Sequence, residues 1–127
     1  MLGSARRIGG ILVTVVVLAA VTADVARSTT PPPPLTPSLI RYWTAVAKCE
    51  TGAGGAPKWN WGSRHRPNEG TLYEGGVGFS TAMWKQWAAE LGWLTLFPDA
   101  FDAPPRVQMT VAQYGAIVHK AQWGCKP

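Results

Sequence analysis

Four consecutive prolines at positions 31–34 divide the chain and limit the part that can fold. Proline has no backbone N–H and a fixed φ, so such a run favours the extended polyproline conformation. With Pro37 close behind, residues 24–38 are predicted to form a stiff Pro-rich linker. The folded domain is therefore expected over residues 39–127, which is room for one domain with a small core.

The segment before the linker has the features of a secretory signal peptide. Arg6 and Arg7 precede an apolar run from Ile8 to Ala20, and Val21-Thr22-Ala23 ends it with a small-x-small cleavage pattern. The apolar stretch falls short of the roughly 20 residues that span a bilayer. We therefore expect residues 1–23 to be a cleaved signal, with an uncleaved membrane anchor as the alternative.

The chain has two cysteines, Cys49 and Cys125, near the two ends of the expected domain. In an exported protein a pair with no third cysteine is typical of one structural disulfide. Closing a loop of this length contributes on the order of 4 kcal/mol through chain entropy. A metal site would need more clustered ligands, and a redox pair would favour C-x-x-C spacing, so neither a metal nor a cofactor is expected.

The charge pattern disfavours a nucleic-acid partner. The net charge is +5, and about +3 remains once the charges before the domain are set aside. Lys and Arg are scattered rather than aligned along one helix. A mildly basic exported domain is attracted to anionic polymers instead. We expect a monomer that meets a membrane only through its signal segment.

An amphipathic helix is predicted to follow the linker. Thr36 and Pro37 supply an N-cap and a first helical residue, and apolar residues then recur at steps of three and four. Glu50 continues the same face before Thr51-Gly52 ends the helix. A carboxylate therefore lies at the last turn, on the apolar side. The residues of that apolar face are Leu39, Ile40, Trp43, Val46 and Ala47.

Two further helices are predicted, over residues 81–91 with Ser80 as N-cap and over residues 107–122. Between the first two helices, residues 72–79 are typical of a short irregular hairpin and residues 62–70 of a polar surface loop. The expected fold class is α+β, mainly α, with a short irregular β region. The residues predicted to be buried by these two helices are Met83, Trp84, Trp87 and Leu91, then Val107, Val111, Tyr114, Ile117, Val118 and Ala121.

The placement of Glu50 makes it the candidate for chemistry. Cleavage of a glycosidic bond requires a carboxylic acid that protonates the leaving oxygen. Burial against apolar groups favours the protonated form of a carboxylic acid, and the negative end of a helix acts in the same direction. From position alone, an ordinary solvated glutamate is the alternative.

The aromatic content indicates a sugar-binding cleft. All seven tryptophans lie after residue 42. Flat rings pack against the apolar faces of sugars, whereas small cores use tryptophan for its volume. Trp43, Trp84 and Trp87 lie on predicted apolar helix faces and are assigned to the core. The residues of the irregular region that are candidates for the cleft are Trp59, Trp61 and Tyr73.

Four segments carry a resemblance to a known family. They are residues 42–52 (YWTAVAKCETG), 73–80 (YEGGVGFS), 81–84 (TAMW) and 122–125 (QWGC). They resemble the resuscitation-promoting factor domain, a transglycosylase-like domain of secreted peptidoglycan enzymes. That family opens with Trp, Val-Ala and Cys-Glu-Ser-Gly, and carries a Tyr-Gly-Gly-Leu-Gln-Phe-Ser block before a Ser/Thr-x-x-Trp. The resemblance spans residues 41–125 of this chain.

The resemblance implies a small lysozyme-like fold, a disulfide between Cys49 and Cys125, and Glu50 as a single catalytic acid/base. It implies a secreted, wall-located lytic transglycosylase that cuts the MurNAc–GlcNAc β-1,4 bond and leaves a 1,6-anhydro sugar without consuming water. Its partners would be peptidoglycan glycan strands and another wall hydrolase. The residues expected to bind substrate are Thr51, Trp59, Asn60, Trp61, Tyr73 and Gly78.

Departures from the family keep two alternatives open. Gly78 stands where the family has Gln, so an amide expected to contact substrate is missing and a non-catalytic wall-binding or signalling module is the first alternative. The second is a lysozyme-type hydrolase, which would need a second carboxylate or a positioned water. His65 is expected to be a solvated loop residue and His119 to be structural. The acidic residues considered as a second carboxylate are Glu69, Glu74, Asp99 and Asp102.

Overall fold

The computed structural model describes residues 31–52 and 61–127. The predicted signal, the first part of the linker, and the predicted site residues Trp59 and Asn60 lie outside the described residues. Three helices, α1 (Pro37–Gly52), α2 (Thr81–Glu90) and α3 (Pro105–Val118), surround strands β1 (Arg64–His65), β2 (Tyr73–Glu74) and β3 (Phe79–Ser80). The expected α+β class, mainly α, is confirmed. None of the described helices has the length and apolar character needed to cross a membrane.

The first two helices begin where their caps predict. Oγ of Thr36 accepts the Leu39 N–H at 3.2 Å, and Oγ of Ser80 accepts the Met83 N–H at 3.2 Å, so each hydroxyl satisfies a free amide of the first turn. The apolar faces of both helices form the core as expected, and α1 ends at Gly52. The tryptophans assigned to the core, Trp43, Trp84 and Trp87, are all buried.

The third helix is shorter than predicted. It ends at Val118 rather than Gln122, because the N–H groups of both His119 and Ala121 bond the Gly115 carbonyl and Lys120 takes a left-handed φ of 54°. This turn redirects the chain toward α1. The prediction that Ile117 and Val118 are buried is wrong, since they are 49% and 46% exposed on the solvent side of the last turn.

The predicted hairpin is confirmed and gains a third strand. The sheet is antiparallel in the order β1-β2-β3, with Tyr73 opposite both His65 and Ser80. Gly75 and Gly78 take φ values of 78° and 71° in the turn between β2 and β3. Residues 62–70 are largely exposed, as expected for a polar surface loop, but they contain β1, which the sequence did not predict. Both β1 residues are exposed, so no alternation of apolar residues marks this strand.

A buried amide ties this sheet to α3. The Gln108 side chain is fully buried, and its Oε1 accepts the Gly76 N–H at 2.8 Å. Its Nε2 donates to the carbonyls of Trp61 at 2.8 Å and Ala103 at 2.9 Å. One side chain thus joins the segment before β1, the hairpin turn and the segment before α3.

The two cysteines form the expected disulfide. Cys49 in the last part of α1 is bonded to Cys125, with 5.8 Å between their Cα atoms. The C-terminal segment, residues 119–127, has no regular secondary structure, and its disulfide shows that it crosses from α3 to the end of α1. Its Trp123 indole N–H donates to the Val77 carbonyl at 2.7 Å, which holds the segment against the hairpin. The disulfide is consistent with an oxidising compartment outside the cytoplasm.

Candidate functional site

Glu50 lies in the last turn of α1, on the side defined by the buried Val46 and Ala47. Its side chain is half-buried, and its Oε1 accepts the backbone N–H of Cys125 at 3.1 Å. Gly124 lies beside the same oxygen, because a Cβ added there would be 3.8 Å from it. The carboxyl group is thus bounded by the C-terminal segment on one side.

Glu50 lines a pocket of about 360 Å³. Its volume lies within the range of small-ligand sites, which are concave, largely apolar and carry a few convergent polar groups. The end of α1, the sheet, the start of α2 and the C-terminal segment all contribute to it. The lining residues are Glu50, His65, Tyr73, Gly78, Met83, Gln122, Trp123 and Gly124.

Aromatic rings form two parts of the pocket wall. His65 and Tyr73 are paired across β1 and β2, and their rings stack with centroids 5.8 Å apart. Trp123 is half-buried and packs edge-to-face against Trp43, with centroids 4.7 Å apart. A ring held in this way offers a rigid surface to the apolar face of a sugar.

Among the described residues, Glu50 is the one carboxylate that lines this pocket. The segment 53–60, outside the described residues, contains no Asp or Glu in its sequence. Glu74 is instead buried behind the sheet, 2% exposed, where its Oε1 lies 3.5 Å from Nε of Arg64. The other acids considered as a second carboxylate, Glu69, Asp99 and Asp102, do not line the pocket either.

The environment of Glu74 differs from that of a solvent-facing acid. Burial raises the pKa of the Glu74 carboxyl, and the nearby charge of Asp99 raises it further against the opposing effect of Arg64. Its Oε2 is buried without a hydrogen-bond partner among the described residues. Glu74 therefore holds β1 to β2 from inside the fold and has no access to a ligand in the Glu50 pocket.

The predicted binding residues occupy different places. Tyr73 and Gly78 line the pocket. Thr51 does not, and its hydroxyl donates to the Ala47 carbonyl at 2.8 Å. Trp61 also lies elsewhere: it packs against the core, and its ring covers Gly76, where a Cβ would come within 3.0 Å of three ring carbons. These two side chains contribute to the fold beside the pocket.

Sequence reasoning missed several pocket residues as contacts, namely Met83, Gln122, Trp123 and Gly124, and placed His65 in a solvated loop. A signal for the last three was present. Since Cys49 adjoins Glu50, any residue within three positions of its disulfide partner Cys125 must lie close to Glu50. His65 is exposed as expected, but the pairing of β1 brings it to the pocket rim.

A polar cluster formed by Glu90, Tyr114 and His119 lies outside the pocket. Oε2 of Glu90 accepts the Tyr114 hydroxyl at 2.8 Å and lies 2.6 Å from Nε2 of His119. Burial acts to raise the pKa of Glu90, but hydrogen bonds from His119, Tyr114 and Gln86 outweigh it and leave the pKa below 4.5. The His119 ring stacks on Trp87 at 5.5 Å, which agrees with the structural role expected for it.

A second groove, of about 370 Å³, borders the first and shares Gln122 and Trp123 with it. Its other lining residues come from α1, α3 and the C-terminal segment, and they are Leu39, Tyr42, Trp43, Gln113, Ala116, Ala121 and Lys126. Within the described ranges, no group of three or more His, Cys, Asp or Glu side chains is arranged to hold a metal ion.

Comparison of the chain with protein-family models, with curated proteins and with solved structures finds no match to any of them.

Proposed function

We propose that this protein cleaves the glycan strands of bacterial peptidoglycan at the MurNAc–GlcNAc β-1,4 bond, with Glu50 as its acid/base. The observation that carries the proposal is a pocket lined by both the half-buried Glu50 and three aromatic side chains, those of His65, Tyr73 and Trp123. Acid-catalysed cleavage of a glycosidic bond needs a carboxylic acid beside the bond, and flat rings offer surfaces that orient the sugar.

The chemistry that fits a lone carboxyl group is lytic transglycosylation. Glu50 gives its proton to the oxygen that leaves the muramic acid C1. The resulting carboxylate then takes the proton of the C6 hydroxyl, whose oxygen closes onto C1 as the 1,6-anhydro bond. Glu50 is protonated again by the proton of the C6 hydroxyl, so the reaction consumes no water and needs no second carboxylate.

A lysozyme-type hydrolase is the less favoured chemistry. Retaining and inverting glycosidases place two carboxyl groups about 5 to 9.5 Å apart across the bond. Within residues 31–52 and 61–127, no second Asp or Glu lines the Glu50 pocket, and the buried Glu74 is engaged with Arg64. Hydrolysis would therefore depend on a water positioned by other groups.

The sequence resemblance to resuscitation-promoting factor domains supports the same proposal. In that case the three helices and small sheet are a reduced lysozyme-like fold, exported by the segment at residues 1–23 and acting at the cell wall. The disulfide agrees with export, because such bonds persist in oxidising compartments.

The test compares the full chain with Glu50→Gln on insoluble peptidoglycan. The wild type is expected to release soluble muropeptides whose muramic ends lack the mass of one water, and Glu50→Gln to release at least a hundredfold less while still sedimenting with the wall. Reducing ends of full mass in the mass spectrum would indicate hydrolysis. Equal release by the two proteins would remove Glu50 from the mechanism.

A second candidate function is a wall-binding module that does not cut. Gly78 favours it, because it lines the pocket with no side chain where the resembling family carries an amide. A Cβ at this position would meet no atom within 4 Å, so the space of that amide is open. Wild-type protein that sediments with peptidoglycan and leaves its glycan strand lengths unchanged would support this function instead.

A further inference from the structure

One backbone group of the C-terminal segment holds the candidate acid. The Cys125 N–H donates to Oε1 of Glu50 at 3.1 Å, and Cys125 is bonded through its sulfur to Cys49, the residue next to Glu50. The donor and the acceptor are therefore joined by a short covalent path through the disulfide.

Backbone hydrogen bonds contribute little to holding this part of the segment. In the described part of the chain, Cys125 is the one residue among positions 122–127 whose backbone N–H donates a hydrogen bond. The Trp123 side chain provides a second attachment, because its indole N–H donates to the Val77 carbonyl and its ring packs edge-to-face against Trp43, Phe79 and Trp87. Without the disulfide, the one hydrogen bond that Gly124 and Cys125 would keep to the described residues is the bond to Glu50 itself.

The core packs without either cysteine. Cys49 is exposed and Cys125 half-buried, and neither belongs to the buried hydrophobic cluster. The buried Trp43 and Trp84 have hydrogen bonds of their own, to Oε1 of Gln113 and to the Phe97 carbonyl, both at 2.9 Å. Loss of the disulfide therefore acts first on the C-terminal segment.

We infer that the Cys125 N–H positions the Glu50 carboxyl group and that the disulfide keeps it there, so that glycan cleavage requires the oxidised protein. This inference rests on the proposed function. With Oε1 engaged, Oε2 of Glu50 has no hydrogen-bond partner among the described residues and remains for proton transfer. A misplacement of about 1 Å costs about a hundredfold in rate, so the reduced protein binds glycan but cleaves it at least about tenfold more slowly.

The experiment follows the full, isotope-labelled chain by NMR before and after reduction with a phosphine, at about 15 °C, where small domains are near their greatest stability. The indole N–H signal of Trp84, which donates to the Phe97 carbonyl, reports the core. In the oxidised protein, the Cys125 amide shift is expected to follow the titration of the Glu50 side chain, and this dependence is expected to be absent in Glu50→Gln. Muropeptide release and sedimentation with peptidoglycan are measured on the same samples.

After reduction we expect an unchanged Trp84 signal, a Cys125 amide that no longer follows Glu50, and release at least tenfold lower with sedimentation within twofold. Reoxidation should restore release, and Cys49→Ser/Cys125→Ser should match the reduced protein without reductant. Loss of the Trp84 indole signal would overturn the inference, because the disulfide would then support the whole fold. An unchanged Cys125 titration or unchanged release after reduction would overturn it as well.

Failure of the proposed function gives a different result. An oxidised wild type that releases no muropeptide contradicts glycan cleavage, while the dependence of the Cys125 amide on Glu50 still tests whether the disulfide positions this carboxyl group.

Discussion

Replacing Gln108 by Met is expected to lower the free energy of unfolding more than the same replacement of Gln113, the other glutamine of α3. Methionine is close to glutamine in volume but neither donates nor accepts these hydrogen bonds. The substitution leaves the Gly76 N–H and the carbonyls of Trp61 and Ala103 without their partner. At about 1 kcal/mol for each hydrogen bond, the free energy of unfolding falls by about 3 kcal/mol, and by more if the buried groups find no water.

This loss corresponds to a fall of at least about 12 °C in Tm, since 1 kcal/mol shifts the Tm of a domain of this size by about 4–8 °C. Gln113→Met, on the same helix, is the matched control, because among the described residues the Gln113 side chain makes one hydrogen bond, to the Trp43 indole. It should lower Tm by no more than about 8 °C. The assay is thermal unfolding followed by near-ultraviolet circular dichroism, with the disulfide intact. If Gln108→Met unfolds at the same temperature as Gln113→Met, the role of Gln108 as the link between sheet and helix is refuted.

Two further substitutions test other parts of the core. Gly115→Ala should lower Tm although alanine has the higher helix propensity. The new methyl group would lie 2.4 Å from the ring of the buried Trp87, and overpacking of this kind costs about 1–3 kcal/mol. A raised Tm would contradict this contact. Glu90 has a lowered pKa in the folded state, so its stabilising contribution is present above pH 4.5 and is lost as the pH falls through the folded value. Glu90→Gln should therefore lower Tm more at pH 7 than at pH 3. An equal fall in Tm at the two pH values would show that the contacts of Glu90 with His119 and Tyr114 do not depend on the charge of Glu90.

The helices could be predicted because their signals are local. The caps at Thr36 and Ser80 and the spacing of Trp43, Val46 and Ala47 depend on neighbours within one or two turns. The end of α3 could not be predicted in this way. Apolar Ile117 and Val118 continue the pattern, yet the chain leaves the helix there because the C-terminal segment must reach α1.

The pocket was predictable in part. Glu50 and Tyr73 were identified from their positions on elements that the sequence already indicates, and both line the pocket. The role of Gln108 could not be identified, because a single polar residue on a helix gives no indication of three partners far away in the chain. His65 could not be placed because a two-residue strand is too short to show alternation.

The pocket draws its residues from both ends of the described fold, with Glu50 at one end and residues 122–124 at the other. Contacts so distant in sequence close late during folding, because the loop entropy must be offset by structure already formed. A ribosome that has made only the first two helices has therefore produced no working pocket. A chain that stops before position 122 would carry Glu50 without the wall of the pocket that residues 122–124 form and without the Cys125 N–H that its carboxyl group accepts.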